Sequence, residues 1–427
     1  MTATVTATRP PFLAKLLVAG SGIMSLANSI TIPFLAIFLG REMGMGPATI
    51  GLVIGSSVFF SIFAGFLGGT LSDIFGRGPV LLASQLGVVA SFVGFYVVDH
   101  VALIFLCNAA MALSAASFAP VGKALLSDLL PSSDRVRWFS YQYLVFNVGY
   151  AIGPLIGVYL GVSGGRGAFL IGALAYGAYF VLLATNIRSA PTLPATGQTE
   201  RVSVRSRFAG SVRAVATDRR LLCFLFAGLL LEAVHLRVSA LLAQDLDLSF
   251  VNGAQILAAV MTTNAITVVV FQLFASKIVL KIDPVTAIVI GGLFMFAGMV
   301  GFGTAATLWQ FVIAMVVFSV GETFIVPSEF AIIDRIAPDD KRGSYFGAQS
   351  FSALGGFVGP FLGGLLLAGW NGTVMFLGVG SLALVSVVFY LFIGRRVPGM
   401  MRPTGATEPA AEPVAEPAED EVPSGAR

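Results

Sequence analysis

Charged residues are scarce in this sequence. Asp, Glu, Lys and Arg make up 11% of its 427 residues, whereas soluble domains carry about 25%. Hydrophobic residues make up 56%, and the mean hydropathy is +0.90. This balance excludes a soluble globular protein and predicts a chain that crosses a membrane many times.

Histidine and cysteine are also rare, with two of each. Cys107 and Cys223 lie inside apolar runs, where small packing residues are expected rather than a disulfide or a metal pair. His100 and His235 are too few for spaced metal ligands, and the chain lacks a Gly-Lys-Ser/Thr loop to hold phosphate. The sequence therefore predicts no cofactor and no metal, excludes an ATP-driven pump and argues against an enzyme.

Long apolar runs fill the chain as far as Gly394. A membrane helix needs about 20 apolar residues, so the runs leave room for twelve helices joined by short loops. We place the helices at 12–39, 47–70, 79–98, 101–126, 138–161, 168–187, 221–243, 253–276, 284–304, 308–332, 344–368 and 373–394. The first run is too long for a signal peptide and lacks a small-residue cleavage site, so we expect it to be retained. The predicted fold class is an all-α integral membrane protein.

An internal repeat divides these helices into six and six. A Gly-x-x-x-Gly-Pro-x-x-Gly pattern in the fifth predicted helix returns in the eleventh, and Asp128 and Asp334 are separated by the same offset. The repeated positions are Gly149, Gly153, Pro154 and Gly157, and then Gly355, Gly359, Pro360 and Gly363. Such self-similarity indicates a tandem duplication of a six-helix unit, and therefore two pseudo-symmetric halves.

Lysine and arginine are unevenly distributed between alternate loops. One side of the predicted topology carries only Arg41 and Arg166, and the other carries all the remaining basic residues except Arg237. Because positive loops stay inside the cell, we expect a multi-pass protein of the cell membrane with both termini in the cytoplasm. The basic residues are dispersed among loops, so the net charge of +3 calls for no nucleic-acid partner.

Five segments follow from this topology. They are a cytoplasmic N-terminus (1–11), an N-terminal six-helix bundle (12–187), a cytoplasmic linker (188–220), a C-terminal six-helix bundle (221–394) and a cytoplasmic tail (395–427). The linker is rich in Arg, Ser, Thr and Pro, and is either a solvated connector or an amphipathic helix that binds lipid headgroups. The acidic, Ala- and Pro-rich tail is expected to be disordered.

A polar seam separates the second and third predicted helices. It reads Gly69-x-Leu71-x-Asp73-x-x-Gly76-Arg77, and it resembles motif A of the major facilitator superfamily, with Ile74 and Gly78 where that family usually has basic residues. The resemblance covers about residues 12–394 and implies two parallel six-helix halves that form a central cavity.

The resemblance also implies a cytoplasmic latch between the halves. We expect Asp73 to lie near the start of the eleventh helix around Gly343 and Ser344, where the helix dipole favours an anion. Arg77 should then reach an acid such as Asp128.

The Gly-Pro element of the fifth helix is similar to motif C of the drug:proton antiporters, with Val158 at the position of the final glycine. Glycines four residues apart let another helix approach closely, and proline kinks the helix, so the element predicts a bendable contact. The resemblance favours export. The alternative is generic small-residue packing, because the eleventh helix carries the same pattern.

Ionisable residues inside the predicted helices are few, and each costs about 2.5 to 3.5 kcal/mol at the helix centre. Glu232 lies midway along the seventh helix, and Glu322 midway along the tenth with Glu329 on the same face. The family places these helices around the central cavity, and the tenth helix of its multidrug exporters carries a glutamate that binds substrate and proton. Burial disfavours the charged form of a carboxyl group, so such a group can load a proton and release it to a cationic substrate.

Structural roles compete with this interpretation for each residue. Glu322 can instead form a hydrogen bond to a neighbouring helix, and Glu232 can be neutralised by His235 or Arg237. Glu329 can be solvated or paired with Arg335. His235 is a further candidate proton or substrate residue, and its alternative role is that of a polar gate residue in the outer leaflet. Arg237 is expected to extend to the periplasmic surface.

The cavity helices of the N-terminal half offer amides and hydroxyls but no carboxylate. The polar cavity residues that we single out there are Asn28, Asn108 and Asn147. Many antiporters of this group carry an arginine in the fourth helix, where this chain has Asn108. Proton coupling is therefore expected to rest on the C-terminal half.

The sequence thus predicts a secondary transporter that exports amphipathic, cationic drugs in exchange for protons by alternating access, and so confers antibiotic resistance. Its partners would be the small-molecule substrate, protons and the lipid bilayer, and we expect a monomer. A facilitator or symporter for a metabolite, sugar or lipid is the alternative within transport. A membrane-embedded enzyme or scaffold is the alternative outside it.

Overall fold

The computed structural model describes residues 12–187, 218–279, 281–338, 345 and 348–396. The segment 1–11, most of the linker and most of the tail lie outside the described residues, as do Gly343 and Ser344 and the surroundings of Gly69 and Asp73. The predictions made for those positions, including the docking of Asp73, stay predictions.

Twelve long helices, and no strand, make up the described part of the chain. They are α1 (Phe12–Arg41), α2 (Pro47–Phe75), α3 (Arg77–Val97), α4 (Val101–Asp128), α5 (Ser132–Tyr159), α6 (Arg166–Ile187), α7 (Arg219–Ser249), α8 (Gly253–Val279), α9 (Pro284–Thr304), α10 (Leu308–Ile336), α11 (Ser350–Gly369) and α12 (Gly372–Arg396). The predicted all-α fold of two six-helix halves is confirmed.

Eleven of these helices are long and apolar enough to cross a membrane. The exception is α5, which has 28 residues and is therefore about 42 Å long. Its sequence carries polar side chains such as Gln142 and Asn147 in addition to its charged first turns. Length and packing therefore identify α5 as a spanning helix where its hydropathy is marginal.

Apart from the start of the eleventh helix, which borders residues outside the description, three predicted helix ends differ from the structure by more than four residues. The helices that were expected to begin at 138 and to end at 70 and 243 begin at Ser132 and end at Phe75 and Ser249. Hydropathy detects the part of a helix inside hydrocarbon. Polar residues continue each of these helices beyond it, because a helix satisfies its own backbone in water as well as in lipid.

Two helices are interrupted near their centres or ends. In α1 a 3-10 turn at Ile32–Phe34 contains Pro33, whose ring removes a backbone donor and breaks the regular ladder. In α7 the helix Arg219–His235 stops, and a second helix, Val238–Ser249, starts after Leu236 and Arg237. Neither proline nor glycine marks the break in α7, so it could not be expected from the residue types alone.

In each half, the Gly-Pro element packs its helix closely against the first helix of the same half. An added methyl group on Gly149 of α5 would lie 2.6 Å from the Gly22 carbonyl oxygen of α1, and one on Gly153 would meet Ser29. In α11, added methyl groups on Gly355 and Gly359 would meet the backbone of α7. Backbones that lie this close leave no space for a side chain, so both halves use the glycines as a helix-helix contact.

The halves meet at one end of the bundle, which holds Arg41 and Pro47 and is called here the Arg41 end. Gly51 of α2 lies against the Pro360 carbonyl of α11, and a methyl group on Gly55 would be 2.9 Å from the Phe357 oxygen. A second contact between the halves joins α8 to α5, where the Thr262 hydroxyl donates to the Ala151 carbonyl oxygen at 2.8 Å.

An ion pair closes the same end. Arg41 Nε of α1 lies 2.6 Å from Asp247 Oδ1 of α7. The described contacts between the halves are therefore concentrated between the bundle centre and the Arg41 end.

Candidate functional site

The seventh helix supplies two ionisable side chains on one face. Glu232 and His235 are three residues apart, which places them one above the other on a helix. His235 Nδ1 lies 3.5 Å from Glu232 Oε2. Both residues belong to the last turn before the break in α7.

The tenth helix completes an acidic cluster around this imidazole. Glu322 Oε1 of α10 lies 3.1 Å from His235 Nε2, so the ring bridges α7 and α10. The side chains are 24% exposed for Glu232 and His235 and 19% exposed for Glu322. The three side chains are therefore mostly sheltered in the protein and partly accessible.

Asn264 of α8 fixes the second oxygen of Glu322. Its side-chain amide donates to Glu322 Oε2 at 3.1 Å and to Ser319 Oγ at 2.9 Å. The tenth helix and the eighth are thereby joined at the carboxylate. Sequence reasoning missed Asn264, although a lone amide in an apolar run is a signal for an interhelical hydrogen bond.

The protonation state of the His235 ring determines how many hydrogen bonds it donates to the two glutamates. An imidazole donates from both nitrogens only when the ring is protonated, and here each nitrogen faces a carboxylate oxygen. A protonated ring would place one cation between the two carboxyl groups. Such a cluster can take up or release a proton. Another cation can also take the place of the imidazolium between the two carboxylates. The structure places His235, a sequence-predicted proton or substrate residue, in contact with both central glutamates.

Glu329 occupies a separate, drier position. It is 7% exposed, and its Oε1 accepts a hydrogen bond from the Tyr390 hydroxyl of α12 at 2.8 Å. Its partner among the described residues is therefore Tyr390 rather than Arg335 or solvent, which were the sequence-based alternatives.

Arg237 lies at the break in α7 and points inward. Its Nη2 donates to Ser57 Oγ of α2 at 3.2 Å, a contact between the two halves. The expectation that it extends to the membrane surface is wrong.

The three asparagines of the N-terminal half are engaged in helix packing. Asn28 donates to the Tyr176 hydroxyl at 2.7 Å, and Asn108 to the Val53 carbonyl at 2.7 Å. Asn147 donates to the Tyr143 carbonyl of its own helix at 2.8 Å. The structure thus pairs these amides with neighbouring helices or with their own helix backbone.

The loop between α2 and α3 forms the predicted ion pair. Arg77 Nε donates to Asp128 Oδ2 at 3.2 Å, and its Nη1 donates to Ser72 Oγ at 3.0 Å. The prediction that Arg77 reaches Asp128 is confirmed. Gly76, with a φ of 88°, makes the tight turn into α3, a conformation that favours glycine.

No cluster of His, Cys, Asp and Glu that could hold a metal ion occurs in the described part of the chain.

Comparison with known proteins identifies the architecture. The Major Facilitator Superfamily profile matches residues 17–348 and 238–419. The uncharacterised MFS-type transporter YqjV of Bacillus subtilis (strain 168) is 30% identical over 378 residues, which is 87% of this chain and 91% of YqjV.

More distant relatives have more specific names. A Na(+), Li(+), K(+)/H(+) antiporter of Planococcus maritimus is 25% identical, over 89% of this chain and 95% of its own. The multidrug resistance protein MdtH of Salmonella arizonae (strain ATCC BAA-731 / CDC346-86 / RSK2980) is 25% identical, over 79% of this chain and 81% of its own.

A solved structure shares the fold. The crystal structure of the nucleoside transporter NupG superimposes with a TM-score of 0.78 at 16% identity, covering 89% of this chain and 98% of NupG. With the profile match across most of its length, the two six-helix halves and the motif A ion pair, the chain belongs to the Major Facilitator Superfamily and is a secondary transporter that crosses the membrane many times.

Proposed function

We propose that the protein exports amphipathic, cationic compounds in exchange for protons. The observation that carries the proposal is the cluster of Glu232, His235 and Glu322, in which one imidazole bridges two glutamates at 3.5 and 3.1 Å. A carrier that exchanges two cations needs a site whose charge differs between its loaded states, located near the midplane where the repeats meet. The cluster supports the proposal because its ionisable groups lie midway along α7 and α10.

Glu322 is the exchanging group in this scheme. When Glu322 is protonated, the empty carrier reorients without an unpaired buried charge, which would be costly in the membrane. When it is ionised, it attracts a cationic substrate. Asn264 holds one oxygen at 3.1 Å in place, so the other oxygen is the one that meets the imidazole or the substrate. Glu232 assists from α7.

The proposed orientation puts both termini in the cytoplasm, because the loops on the side of Arg77 carry most of the basic residues. The Arg41 end then faces the outside. Since the halves meet at that end, the proposed state is that of a carrier closed to the outside. A monomer in the lipid bilayer is sufficient, because each chain supplies both halves.

The two more distant relatives support this scheme by their names alone. One is an antiporter that exchanges monovalent cations for protons, and the other is a multidrug resistance protein. Both names fit a carboxylate site that exchanges a cation for a proton.

Inside-out vesicles loaded with the protein test the proposal directly. With an imposed pH gradient, acid inside, ethidium should accumulate in the vesicles, and its addition should release protons that a pH-sensitive dye records. Dissipating the gradient should stop both signals. A facilitator for a metabolite would leave ethidium outside and show no proton release, and Na⁺ or K⁺ in place of ethidium distinguishes an antiporter of metal cations.

A further inference from the structure

Arg237 is a partly buried cation without an anionic partner among the described residues. Its Nη2 donates to the neutral hydroxyl of Ser57 at 3.2 Å, and its Nε is buried and has no hydrogen-bond partner. The ion pairs formed by the described residues do not include it. Arginines inside a membrane protein are costly and are normally paired, so an unpaired one marks a place where a ligand supplies the missing charge.

The backbone around Arg237 adds to the positive character of this place. Arg237 is the N-cap of the helix Val238–Ser249, which has 12 residues and no side-chain cap. The first amides of a helix point toward its start, and the helix dipole is positive there. Broken membrane helices in transporters direct such ends at anionic groups of their substrates.

Arg237 lies beside the acidic cluster along α7. It is two residues beyond His235, which contacts both Glu232 and Glu322. Its hydrogen bond to Ser57 of α2 places it between the halves. We infer that one small molecule can contact the acidic cluster and Arg237 together.

We propose that Arg237 and the start of the helix Val238–Ser249 form an anion subsite, and that the preferred substrates are zwitterions. The carboxylate of the substrate binds the guanidinium through Nε and Nη, and its ammonium group binds Glu322 and Glu232. The ammonium part rests on the proposed function above. The carboxylate part rests on Arg237 alone.

Three related quinolones separate the two poles. Norfloxacin carries an ammonium and a carboxylate, its ethyl ester carries only the ammonium, and nalidixic acid carries only the carboxylate. Binding of each to the purified full-length protein in nanodiscs is measured by ligand-induced thermal stabilisation and by competition with ethidium.

The wild-type protein should bind norfloxacin about tenfold more tightly than its ester, since a charge-assisted hydrogen bond to a partly buried arginine contributes about that factor. Arg237→Gln should remove this preference while the affinity for the ester stays the same, and it should abolish stabilisation by nalidixic acid. Arg237→Lys, which keeps the charge but lacks the two-pronged donor, should keep part of the preference.

The melting temperature distinguishes a ligand site from a structural role. Removing an unpaired, partly buried charge should leave the melting temperature unchanged or raise it, whereas a structural arginine would lower it. Equal binding of acid and ester by the wild type overturns the proposal, as does an equal loss of both in Arg237→Gln. If Arg237→Gln does not fold, the ratio of the affinities for norfloxacin and its ester is measured in Arg237→Lys instead. Equal affinities of Arg237→Lys for the two compounds also overturn the proposal.

The outcomes also separate this inference from the proposed function. If the ester does not bind and no proton is exchanged, the cation site is wrong. Stabilisation by nalidixic acid that depends on Arg237 would still support the anion subsite.

Discussion

His235 Nε2 lies 3.1 Å from Glu322 Oε1, so one imidazole of α7 is in contact with the central carboxylate of α10. The two residues are far apart in the sequence and belong to helices that both contribute to the C-terminal half. Their contact joins two ionisable residues of different helices into one cluster.

Glu322→Gln should abolish proton-driven export of ethidium while the protein stays folded. The amide imitates the protonated carboxyl group and still accepts hydrogen bonds, so the melting temperature should change little. Glu232→Gln should cause a milder loss that depends on the substrate. Proteoliposomes with an imposed pH gradient provide the measurement.

Glu42→Gln is the matched control for these two variants. Glu42 is an acidic residue of the loop after α1 and is 44% exposed, so its replacement should leave transport unchanged. Export by Glu322→Gln at the wild-type rate and with the wild-type pH dependence would contradict the assignment.

His235→Asn should change the selectivity of the site for substrate charge. Removing the imidazolium leaves two carboxylates without their shared cation, and a second positive charge on the substrate can then replace it. We expect the affinity for a dication such as pentamidine to rise about tenfold relative to that for ethidium, the factor that corresponds to about 1.4 kcal/mol. Competition binding in nanodiscs measures this ratio, and an unchanged ratio would show that the ring does not occupy the cation position.

The fold could be predicted from the sequence because membrane helices are specified locally. Each membrane helix needs one apolar run. The Gly-Pro repeat around Gly153 and Gly359 indicates, from the sequence alone, that the chain has two related halves. Polar helix extensions such as that at Ser132 could not be placed, because hydropathy reports the hydrocarbon region alone. The break at Arg237 was also hidden, since neither proline nor glycine marks it.

The sequence predicts only those residues of the candidate site that are most costly to place inside a membrane. Glu232 and Glu322 stand out because carboxylates inside apolar runs are rare. Their arrangement depends on the rotation of three helices about their axes, which decides that His235 bridges them and that Asn264 holds Glu322. A single sequence carries little information on those rotations, and the same holds for the pairing of Glu329 with Tyr390.

Gly359→Ala should destabilise the protein strongly. The added methyl group would collide with the Ala233 carbonyl oxygen of α7, and overpacking against a backbone costs about 1 to 3 kcal/mol or more. Gly177→Ala is the matched control, since its methyl group would meet nothing within 4 Å, and alanine is favoured in helices by about 0.5 to 1 kcal/mol. Thermal unfolding in detergent should therefore show a lower melting temperature for the first variant and an equal or higher one for the second. Equal melting temperatures would mean that the α7–α11 contact is not tight.

Arg41→Ala should favour opening at the Arg41 end. Arg41 of α1 and Asp247 of α7 form a 2.6 Å pair between the halves, with side chains 54% and 11% exposed. A pair that is half in solvent contributes about 0.2 to 1 kcal/mol, enough to change the ratio of open to closed carriers by up to about fivefold. Spin labels at Gly46→Cys and Gly369→Cys, after Cys107 and Cys223 are replaced by serine, report this opening. Added side chains at both glycines would meet nothing within 4 Å, so the labels should not disturb packing.

Arg166→Ala provides the comparison that makes the Arg41 experiment decisive. Arg166 lies at the same end of the bundle and contacts Asp99 and Glu42, but all three residues belong to the N-terminal half, so its loss should not affect the contact between halves. In the empty carrier, the distance distribution between the labels should gain a longer component in Arg41→Ala and in Asp247→Asn. It should stay at the wild-type distribution in Arg166→Ala. An unchanged distribution in all three variants would show that the glycine-lined contacts of α2 with α11, such as that of Gly51 with Pro360, hold this end closed without help from the ion pair.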